Sequence, residues 1–266
     1  MHKILDETTD PIKVINRHTH TIPFVISIPH SGEYLTNNMN EILKDNVILA
    51  NTDWYLPELY SFLEELGFTI IINNVSRYVI DPNRDINNIN DEKYYKSLIY
   101  TKTTFNKEMY DENISENEIS DRINNFYISY HNELNKAINE KLKHFKKVYL
   151  IDLHSFGKEL GKDIVLGNNN GATLNEQLFK YIQRLFIDNG FNISINDPYV
   201  GGFITKKYGN IFNNCESLQI EISYRSYIDN RSFGEEELPK INYHIMNDCK
   251  EKLKSIFKEI SKIDKK

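Results

Sequence analysis

A chain of 266 residues with 40% hydrophobic and 26% charged residues is long enough to bury one sizeable core. Its formal net charge of -6, with Lys and Glu intermixed as in "CKEKLKSIFKEI", excludes the basic stripe of a nucleic-acid binder. Two cysteines, Cys215 and Cys249, are too few for a disulfide framework or a paired-cysteine metal site and read as reduced thiols. The N-terminus has no apolar run of signal-peptide length, and no segment approaches the roughly 20 apolar residues of a membrane span. These features predict a soluble cytoplasmic protein.

No internal repeat and no Gly/Ser/Pro linker divides the chain, so residues 1–266 read as a single domain. In chain order, "FVISI" (24–28) reads as a strand, "LPELYSFLEELG" (56–67) as a helix ending at Gly67, and "FTIIIN" (68–73) as a second strand. Residues 118–145 form a long amphipathic helix or helix pair that leads into the strand "KVYLIDL" (147–153). Strand "DIVLG" (163–167), helix 174–190, strands "FNISIN" (191–196) and "SLQIEIS" (217–223), and a C-terminal helix over 238–262 complete the pattern. Strands alternating with helices imply an α/β fold with a mainly parallel or mixed sheet covered on both faces. Ligands of such sheets collect at the carboxyl ends of the strands, so polar residues there are the candidates for chemistry.

The first strand runs into Pro29-His30-Ser31-Gly32-Glu33. If the chain turns helical there, His30 and Glu33, three apart, face the same way and could bind one ion; otherwise His30 is a surface histidine in a turn. In "YLIDLHSFG" the i, i+2 spacing puts Asp152 and His154 on one strand face. The carboxylate there either orients the imidazole for a metal or forms a satisfied core pair with it. Glu221 lies between Ile220 and Ile222, where a carboxylate is costly unless paired, protonated or facing a polar cavity. A raised pKa in an apolar cleft would suit a general base and acid, and a structural salt bridge to Arg225 or another cation is the alternative.

"NVSRYVIDPNRD" brings Arg77 and Arg84 close to Asp81, Asn83 and Asp85. The arginines either clamp a substrate carboxylate, with Asn83 beside them, or pair internally with the two aspartates. Asp53, just ahead of helix 56–67, is either a carboxylate placed at the positive helix end or a metal ligand or its supporting partner, and the neighbouring Trp54 reads as core. "PYVGGF" (198–203) is either a pocket-lining loop or an ordinary turn. As a set, two histidines with one or two carboxylates give a zinc site with an open coordination position. Glu221 then supplies a base for a metal-bound water, whose pKa a catalytic zinc lowers to roughly 7. No Walker or Rossmann signature competes with this reading.

Eight segments carry a resemblance: "IPHSG", "NTDWYLPELY", "VSRYVIDPNRD", "FYISYHNEL", "DLHSFG", "DIVLG", "NDPYVGGFITKKYG" and "LQIEIS". In this order, over almost the whole chain, they resemble the N-formylglutamate amidohydrolases, a family similar to zinc carboxypeptidases and aspartoacylase-type deacylases. The resemblance implies a three-layer α/β/α sandwich around a mixed, mostly parallel sheet. It implies one zinc ion with His30 and His154 as ligands, and Glu221 as general base. Glu33, as in the carboxypeptidases, or Asp53 is the third ligand, with Glu33 favoured. Arg77 would stabilise the oxyanion, while Arg84 or Arg225, with Asn83, would bind a substrate carboxylate. The implied partner is a small N-acyl acidic amino acid, foremost N-formyl-L-glutamate, cleaved to L-glutamate and formate.

Overall fold

The structure, a computed structural model, describes residues 2–265 except 90, 92, 94, 95 and 230–237. Its centre is a seven-stranded sheet built from β2 (Ile12–Ile15), β3 (Phe24–Ile28), β5 (Thr69–Asn73), β6 (Val148–Phe156), β7 (Ile164–Gly167), β8 (Ile193–Ile195) and β9 (Cys215–Ser223). The strand order is β2-β5-β3-β6-β9-β7-β8. The four inner strands β5, β3, β6 and β9 run parallel. On one side β2 pairs antiparallel with β5, and on the other β7 pairs antiparallel with β9 and parallel with β8. A small two-stranded pair, β1 (Lys3–Ile4) with β4 (Tyr34–Leu35), lies outside this sheet.

Period-2 alternation sorts the strands onto two faces. Phe24, Ile26 and Ile28 of β3, Tyr149, Ile151 and Leu153 of β6, and Leu218, Ile220 and Ile222 of β9 all enter one core. That core is closed by α2 (Leu56–Leu59), α5 (Glu176–Asp188) and α7 (Tyr243–Ile260), through residues such as Phe179, Phe186, Leu253 and Phe257. On the opposite face Val25, Ile71, Val148 and Leu150 meet α4 (Ile128–Leu142) and Ile204 of α6 (Phe203–Tyr208). The buried stripe of α4, Tyr130, Leu134, Ala137, Ile138 and Lys141, follows the 3.6-residue helical period. Helix, sheet and helix therefore form three layers. A third cluster, centred on Val75, Tyr78, Val79, Ile80 and Tyr100, packs beneath the long connection that follows β5.

The strands expected at 24–28, 68–73, 147–153, 163–167, 191–196 and 217–223 all form, within a few residues at their ends. The helix expected over 56–67 breaks after Leu59 into a short 3-10 turn at Ser61–Leu63, and Gly67 closes it at a φ of 86°. The long helix is a pair, α3 (Glu116–Arg122) and α4, joined by a single π turn at Ile123–Tyr127. Helix α1 (Asn37–Ile42), helix α6 and the short strands β1, β2 and β4 were not foreseen. Both cysteines are free. Among the described residues no helix is long and apolar enough to cross a membrane.

Candidate active site

The alternation that fills one face with Ile and Leu leaves Ser27, Asp152, His154, Gln219 and Glu221 on the other face, next to the inner strands' carboxyl ends. Pairing in register sets Ser27 beside Asp152, Asp152 beside Gln219, and His154 beside Glu221. His30 follows β3 two residues beyond its end. His30, His154, Gln219 and Glu221 open into a cavity of about 320 Å³ lined also by Asn51, Asp53, Arg77, Asn83 and Arg84. Ser155, Phe156 and the segment 198–202 form its remaining wall.

Donor atoms of His30, Asp53 and His154 lie within 4.8 Å of one another, and all three residues are buried. Asp53 Oδ2 stands 3.1 Å from His154 Nδ1 and 3.8 Å from His30 Nδ1. Each imidazole turns its other nitrogen to a buried carboxylate: His30 Nε2 is 2.6 Å from Asp81 Oδ1, and His154 Nε2 is 2.9 Å from Asp152 Oδ2. Ionised carboxylates only accept hydrogen bonds, so both Nε2 atoms carry the proton. Both Nδ1 atoms thus converge on Asp53. Paired imidazoles with carboxylate partners behind them are the usual build of a histidine metal site.

The supporting groups are themselves fixed. Ser27 Oγ donates to Asp152 Oδ1 at 2.8 Å and lies 2.9 Å from the Tyr130 hydroxyl. Asp81 accepts from the Asn83 N–H at 2.8 Å, from Arg77 Nη2 at 2.9 Å and from the Tyr100 hydroxyl at 2.5 Å. Asp53 is held by its backbone, whose N–H donates to His30 O at 3.0 Å. The surrounding strand of chain is pinned by three tyrosine hydroxyls, Tyr78 on Ala50 O, Tyr224 on Thr52 O and Tyr227 on Trp54 O. The Tyr-x-x-Tyr-His run at the π turn and the start of α4 braces the turn that follows Asp81: Tyr127 donates to Arg84 O, and His131 Nε2 lies 3.0 Å from Pro82 O.

Electrostatics follow from burial and these partners. Burial, with Arg77 adding to it, pushes His30 down to about 4, so its Nδ1 lone pair is free at neutral pH. Burial alone would lower His154 too, but Asp152, Asp53 and Glu221 outweigh it and hold its pKa well above the ordinary value, so its Nδ1 carries a proton toward Asp53 that a bound ion would displace. For Asp81, burial is outweighed by Arg84, His30 and Arg77, which keep the carboxyl far below the usual range. Burial lifts Glu221 to about 8, helped by Asp53 and Asp152 and opposed by His154 and Arg77.

A second donor group, His20, Glu140 and His144, lies just ahead of β3 and at the end of α4, away from the cavity. Its imidazoles stack with centroids 4.1 Å apart and planes 21° from parallel, and the group is only partly buried. Glu140 is already engaged by Lys143. The cavity group, buried and backed by carboxylates, could hold a metal ion.

The structure brings together His30, His154, Asp53, Glu221, Arg77, Arg84 and Asn83. It does not bring in Glu33, the favoured third ligand. Residues 31–33 have no helical geometry and lead directly into β4, so i and i+3 do not share a face. The chain passes so close to 74–75 that a Cβ on Gly32 would lie 2.4 Å from Val75 O. Glu33 instead pairs with Lys3 at 3.0 Å and lines a different cavity. Arg225 also stands apart, engaged with Glu159. Asn83 lines the cavity, but its Oδ1 accepts from the Ile204 N–H at 2.8 Å, which turns its NH2 toward His154. Asp81 and Gln219 were not singled out as site residues. The alternation in "LQIEIS" places Gln219 on the face of Glu221, and that signal was available.

Fold and site together define a class: an α/β/α hydrolase whose strand ends carry an oriented His-Asp-His donor set facing a buried glutamate. The family model for N-formylglutamate amidohydrolase matches residues 22–228, and the chain belongs to that family. It is 28% identical over 232 residues to the N-formylglutamate deformylase of Pseudomonas putida, covering 82% of this chain and 86% of that one. The N-formylglutamate deformylase of Pseudomonas aeruginosa is 28% identical over 226 residues, covering 79% and 84%. The crystal structure of N-formylglutamate amidohydrolase from Ralstonia eutropha shares the fold, with a TM-score of 0.75 at 23% identity over 95% of this chain and 98% of that chain.

Proposed function

We propose that this chain hydrolyses N-formyl-L-glutamate to L-glutamate and formate, using one divalent metal ion, zinc, held by His30, Asp53 and His154. The observation that carries the proposal is the convergence of both Nδ1 atoms on Asp53, with Glu221 in register beside His154. Two imidazole nitrogens and one carboxylate oxygen form a catalytic zinc donor set that leaves a coordination position open. A zinc ion there supplies a Lewis acid for the formyl oxygen and acidifies water.

The residues of the chain do the rest. Asp81 and Asp152 engage the Nε2 side of each imidazole and so turn both Nδ1 atoms toward the ion, for which His154 gives up its Nδ1 proton. Glu221 takes a proton from the attacking water and returns it to the departing amine, a task suited to a carboxyl whose pKa lies near neutrality. Arg77 is fixed by Asp81 and Tyr100, and its buried Nε has no hydrogen-bond partner. It puts positive charge beside the carbonyl oxygen as that oxygen becomes negative. Arg84, less buried at the cavity wall, also has a buried Nε without a partner and binds a glutamate carboxylate.

The test is formate release from N-formyl-L-glutamate, N-formyl-L-aspartate, N-acetyl-L-glutamate and a neutral N-formyl amino acid. N-formyl-L-glutamate should have the highest kcat/KM. A higher value for an N-acetyl or neutral substrate would replace this reading with another deacylase.

A further inference from the structure

We infer that Gln219 is a positioning residue that ties the glycine segment 201–202 to Glu221; the inference rests on the function proposed above. Gln219 is buried, and its Oε1 accepts the backbone N–H of Gly202 at 2.5 Å. A backbone N–H can only donate, so the orientation of the amide is fixed and its NH2 faces the other way. There Nε2 donates to Glu221 Oε1 at 2.9 Å. Among the described residues this is the hydrogen bond Glu221 receives from the protein, and Oε2 is left as its unengaged oxygen.

The other end of the link is equally constrained. A Cβ on Gly202 would lie 2.3 Å from Asn83 Nδ2, and Asn83 Oδ1 accepts the Ile204 N–H. Gly201 adopts a φ of 119°, which favours glycine, so the chain can bring the Gly202 N–H onto Gln219. Asn83 belongs to the turn that carries Asp81, the partner of His30. Gln219 therefore connects the wall of the cavity and the base in one hydrogen-bonded chain. A free glutamate has three rotatable side-chain bonds; held at Oε1, it presents Oε2 to one place. General-base efficiency depends on such placement, and about 1 Å of error costs on the order of 10²-fold.

The experiment has two arms on the zinc-loaded protein. In the first, Gln219→Met keeps the length of the side chain and removes both hydrogen bonds. Its kcat for N-formyl-L-glutamate should fall roughly 10- to 100-fold, with KM within about threefold of wild type and zinc content unchanged. In the second, the wild-type chain, which has three glutamines, is labelled with 15N-glutamine. The Gln219 side-chain amide, identified by its absence from Gln219→Met, should exchange with solvent far more slowly than that of exposed Gln177, and should shift in Glu221→Ala. A Gln219→Met enzyme within twofold of wild-type kcat overturns the inference, as does a Gln219 amide that exchanges like Gln177. If wild type releases no formate, the proposed function fails, while the exchange arm still decides the Gln219–Glu221 link.

Discussion

Replacing Glu221 by Gln removes a titratable group while preserving shape and the ability to accept from Gln219, so its effects on rate and stability should have opposite sign. The rate effect is the loss of a general base, on the order of 10²–10⁴-fold in kcat with bound zinc retained. The stability effect appears in the chelated protein. Glu221 titrates at about 8 in the fold against an ordinary 4.5. Between those values the folded chain holds a proton that the unfolded chain has released, so stability falls as pH rises through the window. At roughly 1.4 kcal/mol per pKa unit, wild type has lost up to about 4 kcal/mol by pH 8. Gln carries no such cost. Urea denaturation of both chelated proteins should show Glu221→Gln gaining stability on wild type from pH 5 to pH 8, with little pH-dependent difference below pH 4.5. An advantage that does not grow with pH would refute the placement of Glu221 in a desolvated pocket. Unchanged turnover in the zinc-loaded variant would refute its role as base.

Two paired comparisons test the rest of the site. Asp53→Ala should lose zinc and activity together, whereas Glu33→Gln, whose parent carboxylate pairs with Lys3, should keep both by metal analysis and formate assay. Arg84→Ala should raise KM for N-formyl-L-glutamate by about tenfold or more, as expected for losing a charge-assisted contact. Arg225→Ala, outside the cavity, should leave KM within about twofold.

Much of this architecture is legible in the sequence because the inner strands are buried on both faces and read as apolar runs. "FVISI", "VYLIDL" and "LQIEIS" announce themselves, and so do the polar residues that interrupt or follow them. The two-residue period places Asp152 with His154. The third residue of the donor set could not be read this way. Glu33 is close to His30 in sequence, but local spacing selects a partner only where the chain is regular, and 31–33 is not. Asp53 reaches His154 across 101 residues, through a backbone hydrogen bond to His30 and tyrosine hydroxyls from distant segments. The same holds for Asp81, 51 residues from the imidazole it orients. For Arg77 and Arg84 the sequence left clamp and internal pair open. Arg77 bonds Asp81 directly and Arg84 stands 3.7 Å from it, while both line the cavity. The short strands β1 and β4 hold only two residues each and owe their pairing to long-range contact.

If this cavity is a metal-dependent deformylase site, its turnover should follow bound metal in a titration. Chelated protein, incubated with N-formyl-L-glutamate while formate is followed, should be inactive. Stepwise addition of zinc should restore turnover in proportion to bound metal and reach its plateau at one ion per chain. Full formate release by protein shown to contain no metal would mean that the cavity works without an ion.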